Sequence, residues 1–173
     1  MSDEMVFSRP VKVDTLPRDG LRQAIHADAA ERAALAQAFG LVAISRFDAD
    51  LLAKRTSRGV KVTGTVRAAV TQTCVVSLEP FDSEIEEEVD VRFQRPAEER
   101  KGPVREETVQ FDADDEPDLI VDGKIDLGAL AAEFVALGLD PYPRKPGVEF
   151  AAPATDADEA SPFAALGGLK DDK

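Results

Sequence analysis

One stretch of alternating side chains limits the possible folds of this chain more than any other feature. From Val60 to Cys74 the even positions are mainly apolar, whereas the odd positions carry mainly Lys, Thr and Arg. A period of two is the spacing of a β-strand with one dry face and one wet face. A sheet with one face in water is therefore expected at the centre of the fold.

Two shorter runs continue this pattern on either side. Residues 47–53 have apolar side chains at the odd positions, and a change of parity upstream predicts a bulge near 45–46. Residues 85–93 alternate in the same way with acidic neighbours. Turn-forming residues at 56–59 and at 78–81 separate the runs and favour hairpins. The three strands are predicted to form an antiparallel meander.

Two helices are predicted from their capping residues and apolar spacing. Asp28 is a favourable N-cap for a helix over 29–39, and Gly40 is suited to end it. Asp126 caps a second helix, in which apolar residues share one stripe from 127 to 138. Strands joined by hairpins and followed by a helix indicate the α+β class.

The predicted domain covers residues 1–150 and has an antiparallel sheet flanked by the two helices. Short additional strands are expected at 11–13 and 119–121. Whether the sheet stays open or curls toward a barrel is left undecided by the pattern. Small and acidic residues predict a flexible linker over 151–160, followed by a C-terminal anchor segment over 161–173.

The anchor segment carries three large apolar residues at the spacing of a helical turn, namely Phe163, Leu166 and Leu169. A helix this short is not stable alone, and Gly167 and Gly168 weaken it further. Something else must therefore order it. It either folds back on its own domain or docks on a partner.

Composition excludes several classes of protein. The net charge is −13, which disfavours a protein wrapped in nucleic acid and predicts no binding to DNA. No apolar run is long enough for a membrane span, and the first residues lack a signal peptide, so a cytoplasmic protein without membrane contact is expected. With a single cysteine and a single histidine, no disulfide, metal site or other cofactor is expected.

Cys74 and His26 have ordinary interpretations that we prefer. Cys74 shares the parity of Val66 and Val70, which predicts a small buried core residue. The alternative, a remnant of a metal or thiol site, would need a partner that the sequence does not offer. His26 precedes a helix cap and is expected at the surface.

Two charged clusters are candidate binding surfaces. A candidate RNA-contact patch consists of the cations of the first hairpin: Arg46, Lys54, Arg55, Arg58, Lys61 and Arg67. A candidate partner-docking surface consists of Glu84, Glu86, Glu88 and Asp90, together with the apolar residues Phe163, Leu166 and Leu169. Both charged runs could equally be solvated strand faces.

A search for catalytic machinery finds little. The chain has no glycine-rich phosphate loop, no nucleophile elbow and no pair of histidines, and chance alone yields carboxylate pairs when there are 34 acidic residues. We predict that the protein is not an enzyme. A hydrolase would need a pocket with converging titratable groups, which a structure can show.

Three separated blocks carry a family resemblance. They are Cys74 with Pro80-Phe81, then Ile125-Asp126-Leu127 with Leu137-Gly138-Leu139-Asp140-Pro141, then Ser161-Pro162-Phe163-Ala164 with Leu166. In this order they resemble the bacterial YceD family, whose members are called large ribosomal RNA subunit accumulation proteins. The second cysteine of the family's Cys-x-x-Cys pair falls on Ser77 here, which argues against a metal or redox role for that pair.

The resemblance implies a non-catalytic factor that supports accumulation or maturation of 23S ribosomal RNA. Its partner would be large-subunit ribosomal RNA or a basic ribosomal protein. The alternative function is an acidic chaperone or adaptor that binds a basic ribosomal protein without RNA contact. Salt-dependent retention of RNA would distinguish the two, because phosphate contacts weaken as salt rises.

Overall fold

The fold is built on a five-stranded sheet, seen in a computed structural model that describes residues 7–96 and 117–150. The strands are β1 (Pro10–Lys12), β2 (Leu21–His26), β3 (Ala43–Arg55), β4 (Gly59–Thr73), β5 (Pro80–Gln94), β6 (Asp118–Leu119) and β7 (Lys124–Asp126). The helices are α1 (Ala29–Phe39) and α2 (Leu127–Leu137). The order of strands in the main sheet is β2-β3-β4-β5-β6, and β1 pairs separately with β7.

The predicted meander is confirmed as β3, β4 and β5, which pair antiparallel in sequence order. The expected bulge is also present, since the register between β3 and β4 shifts between Ile44 and Arg46. The turn over 56–59 closes where the Thr56 N–H donates to the carbonyl of Gly59 at 2.9 Å. The second turn lies earlier than predicted, at Cys74–Glu79, because Pro80 and Phe81 already pair with β4.

One face of this sheet forms the core, which confirms the predicted register of β4. Val60, Val62, Val66 and Val70 are at most 1 % exposed. They pack with the buried residues of β3 and with α2, whose buried side chains include Leu127, Leu130, Ala131 and Val135. The odd positions of β4 point the other way, so the opposite face of the sheet meets solvent.

The sheet is open and is not closed into a barrel. Its two edges are β2, which pairs only with β3, and β6, which pairs with β5 for two residues in parallel. Closure would need a ladder between these edge strands, and none joins them in the described residues. The sheet is thus mostly antiparallel with one short parallel edge.

Several short elements differ from the expectations. Strand β2 was not predicted, because Arg22-Gln23-Ala24-Ile25-His26 lacks alternation. Val13 lies in a 3-10 turn instead of a strand, and β6 ends at Leu119. The strand at 124–126 is also additional; it exists because β1 pairs with it.

Both helices begin at the predicted caps. Asp28 and Glu31 form a reciprocal capping box, and Gly40 ends α1 with left-handed backbone. Asp126 accepts hydrogen bonds from the N–H groups of Gly128 and Ala129 at 2.9 and 3.0 Å. Neither helix in the described residues has the length and apolar character that crossing a membrane would require.

Candidate functional site

The sheet face turned away from the core, here called the outer face, carries most of the predicted charged residues. Strands β3, β4 and β5 place Arg46, Asp48, Asp50, Lys61, Arg67, Glu84, Glu86, Glu88 and Asp90 there. The two candidate surfaces are therefore not separate, because cations of the hairpin and carboxylates of β5 lie side by side. Glu87 has the opposite parity and lies on the inner face beside Gly138.

Three of the predicted RNA-contact cations are ion-paired within the sheet. Lys61 Nζ lies 2.9 Å from Asp90, and Arg67 lies 2.9 Å from Glu86. Arg46 is placed between two carboxylates, those of Asp48 and Glu84, at 3.6 Å from each. The Arg67 guanidinium lowers the pKa of the Glu86 carboxyl through a hydrogen bond and charge attraction.

The other three predicted cations lie near the tip of the hairpin. Arg55 donates two hydrogen bonds to the carbonyl of Val13, at 2.7 and 3.1 Å, which ties it to the fold. Lys54 lies opposite Lys61, which in turn lies opposite Arg92. Lys54, Lys61 and Arg92 are called the basic row below. Arg58 is an exposed residue of the turn.

Two carboxylates in the middle of the outer face form no direct ion pair in the described residues, although Arg67 attracts Asp50 from a diagonal position. Asp50 and Glu88 flank Thr65 on opposite sides in the register, and the side chain of neither forms an ion pair among the described residues. Together with Glu84, Glu86 and Asp90, they form a surface that we call the acidic strip. Both helices lie elsewhere, so the strip is open to solvent.

His26 ends the edge strand beside this surface, and its expected exposed position is confirmed. Its Nδ1 lies 2.7 Å from the Asp48 carboxylate, and its side chain is 73 % exposed. Asp48 is thus shared between His26 and Arg46.

Cys74 is fully buried, as predicted, but its sulfur is not an inert apolar atom. Hydrogen bonds from Ser77, through its side chain first and its backbone second, and from the backbone of Lys145 lower the pKa of the Cys74 thiol from 9.0 to about 6. The backbone N–H groups of Ser77 and Lys145 each lie 3.4 Å from Sγ. Spacing alone could not reveal the Lys145 donor, which lies 71 residues away.

The Cys74 turn (Cys74–Glu79) holds a second segment, here called the proline segment (residues 140–146). The Val75 N–H donates to the carbonyl of Pro143 at 2.9 Å, and Lys145 Nζ pairs with Glu79 at 2.8 Å. Gln72, a buried polar residue of β4, reaches the carbonyl of Asp140 at 3.4 Å. The proline segment is thereby fastened to one end of the sheet.

Large apolar side chains are exposed where these two segments meet. Leu78 is 76 % exposed, Tyr142 73 % and Val75 46 %. Leu78 also has a positive φ of 59°, which is rare for a residue with a branched side chain. Phe163, Leu166 and Leu169, predicted as docking residues, lie outside the described residues.

The described residues offer no metal centre, since they contain no cluster of three or more His, Cys, Asp or Glu side chains suited to hold an ion. Every buried side-chain nitrogen or oxygen that the structure describes has a hydrogen-bond partner. The features that remain available for recognition are thus the charged outer face and the exposed apolar residues at its end.

Fold and surfaces together define an α+β protein built on an open, mostly antiparallel sheet. The profile of the family described as large ribosomal RNA subunit accumulation protein YceD matches residues 62–170. The chain belongs to this family. The match begins within β4 and includes β5, α2 and both segments at the end of the sheet.

The family description gives the chain a role in accumulation of large-subunit ribosomal RNA. No match was found among curated proteins or among solved structures.

Proposed function

We propose that this protein is a non-catalytic ribosome-biogenesis factor that supports 23S ribosomal RNA accumulation by binding a basic ribosomal protein on its acidic strip. The observation that carries the proposal is the position of Asp50 and Glu88 in the centre of an exposed sheet face, where neither carboxylate forms a direct ion pair in the described residues. Glu86, Glu88 and Asp90 follow one another along the same face of β5, and neighbouring like charges repel one another. A cationic partner would relieve that repulsion and would be attracted to the strip.

The ion pairs around the centre support the same proposal. Asp90, Glu86 and Glu84 each lie near a cation of the neighbouring strands, which fixes the charges that border Asp50 and Glu88. Charges held in fixed positions favour a partner that binds in one orientation over a partner that is only loosely attracted. Surface ion pairs of this type contribute little to stability, so a contribution to folding alone is a weak explanation for the presence of these charges.

A charge-reversal experiment tests the proposal. Asp50→Lys with Glu88→Lys should lower the amount of large-subunit ribosomal RNA in cells that depend on the variant, and should weaken binding to basic large-subunit ribosomal proteins in vitro. Glu133→Lys on the exposed side of α2 is the control, because it changes charge away from the strip. If the strip variant supports normal RNA levels and unchanged binding, the proposal is wrong.

A second candidate is direct RNA contact by the basic row. Lys54, Lys61 and Arg92 lie in register across three strands, which places cations side by side for contact with phosphates. If this row binds RNA, Lys54→Ala with Lys61→Ala should reduce RNA retention and flatten its dependence on salt. The strip variants should leave that salt dependence in place.

A further inference from the structure

We infer that the exposed apolar residues at the end of the sheet are the docking surface for this chain's own C-terminal segment, residues 161–173. The surface consists of Val75 and Leu78 on the Cys74 turn and Tyr142 on the proline segment. This inference goes beyond the proposed function and does not depend on the acidic strip.

The first argument is the cost of the surface if nothing covers it. Leu78 combines large exposure with left-handed backbone, and such strained residues persist where a function requires them. Tyr142 is exposed on a segment whose backbone is held on both sides of it. The Tyr142 N–H also donates to the Asp140 carboxylate at 2.8 Å. An aromatic ring on a backbone fixed in this way is suited to act as an anchor for a ligand.

The second argument is where the described chain ends. After the proline segment the chain forms a turn, in which the Val148 N–H donates to the carbonyl of Lys145. The described residues end at Phe150. Residues 151–160 can span up to about 35 Å when extended, which is ample for a return to this surface. Tethering over such a length gives an effective concentration on the order of millimolar, so weak apolar contacts suffice.

The third argument is chemical complementarity. Phe163, Leu166 and Leu169 have the spacing of one side of a helical turn and are as apolar as the three exposed residues. The intervening residues include Asp156, Asp158 and Glu159, whereas the proline segment carries Arg144 and Lys145. Lys145 is occupied by Glu79, but the exposed Arg144 has no ion pair in the described part of the chain. We therefore expect Arg144 to attract the acidic tether.

The chain contains its own reporter for the test, because Tyr142 is the only tyrosine and there is no tryptophan. Intrinsic fluorescence of the full-length protein therefore reports this surface alone. We expect Phe163→Ala with Leu166→Ala and Leu169→Ala to increase quenching of Tyr142 by acrylamide roughly two-fold, because a docked helical turn covers one side of the ring. Leu78→Ala should reproduce the increase.

Leu119→Ala is the matched control, since Leu119 is a similarly exposed leucine on β6 and its loss should leave quenching unchanged. Equal quenching of the wild type and the triple variant would overturn the inference, provided circular dichroism shows both folded. Protection of Tyr142 that grows with protein concentration would instead indicate a second copy as the occupant. Protection that appears only on adding a ribosomal fraction would indicate a partner, and either result would reject docking within the chain.

Discussion

At the scale of single residues, neighbouring positions of β4 differ sharply in their surroundings. Val66 is fully buried, whereas Thr65 is partly exposed on the outer face. We expect Val66→Asn to destabilise the protein by about 3 kcal/mol, because a buried amide without partners loses its hydration. Thr65→Asn should change the free energy of unfolding by no more than about 0.5 kcal/mol. Urea denaturation of both variants measures the difference, and equal effects would contradict the register.

Cys74 gives the protein a specific dependence on pH. Its pKa is lowered to about 6 from 9.0, so the thiolate is favoured in the folded state. A lowered acid pKa stabilises the fold fully above the unfolded value, and that stabilisation is lost as pH falls toward 6. The gap in melting temperature between wild type and Cys74→Ala should therefore widen from pH 6 to pH 9. Comparison with this variant cancels the titration of every other group that the two proteins share.

Ser77 supplies the largest part of that effect and provides the control. Replacing Ser77 by Ala removes the side-chain hydrogen bond, so the Cys74 pKa should rise toward its ordinary value. Ultraviolet absorbance of the thiolate follows the titration in both proteins. A gap between wild type and Cys74→Ala that is constant with pH would show that the sulfur is neutral in the fold.

At the scale of elements, the close approach of β3 and β4 depends on a glycine. A Cβ atom at Gly64 would lie 2.0 Å from the carbonyl oxygen of Asp50. The backbone of Asp50 cannot move away without breaking hydrogen bonds between β3 and β4. We expect Gly64→Ala to destabilise by about 3 kcal/mol or more. Gly40→Ala is the control, because Gly40 also has positive φ but nothing lies within 4 Å of its missing Cβ. That change should cost only about 1 kcal/mol, from the left-handed backbone alone; similar losses in thermal melts would contradict the steric argument.

The start of α2 depends on one carboxylate that joins two elements. Asp126 caps the helix and also accepts a hydrogen bond from the Arg9 N–H at 2.7 Å and another from the Ser8 hydroxyl. We expect Asp126→Ala to cost about 2 kcal/mol, the upper end for loss of an N-cap, because the N-terminal segment loses its acceptor as well. Asp126→Asn should cost less, since the amide oxygen can still accept. Chemical denaturation measures the free energy of unfolding of both variants. An equal loss of stability would mean that the charge of Asp126 matters and its hydrogen-bond acceptance does not.

At the scale of the whole molecule, stability and function make opposite demands on the outer face. Glu88 lies across from Thr65, between Glu86 and Asp90 on the same strand face, and forms no direct ion pair in the described residues. We expect Glu88→Lys to raise the melting temperature at low salt, because it replaces repulsion with attraction, and to lower ribosomal RNA accumulation in cells. High salt should remove the gain in melting temperature. A variant that is more stable and fully functional would show that the strip is only a solvated face.

Elements whose signals are local could be predicted from the amino-acid sequence alone. Alternation from Val60 to Cys74 and the caps Asp28 and Asp126 depend on neighbours along the chain, so the meander, the bulge and both helices follow from them. The family blocks were likewise visible in the printed residues, and the match over 62–170 confirms them. The charged surfaces were correctly placed on strands, although their functional roles remain predictions.

The contacts between these elements could not be predicted without the three-dimensional fold. Strand β2 exists because β3 offers it a partner, and β7 exists because β1 pairs with it. The pairing of Lys61 with Asp90 and of Arg67 with Glu86 depends on the register between two strands, which no local pattern specifies. Cys74 Sγ accepts a hydrogen bond from the nearby Ser77 and a further one from Lys145, across a separation of 71 residues. Contacts between distant residues are set by packing of the whole chain, and that is why alternation and capping could not reveal them.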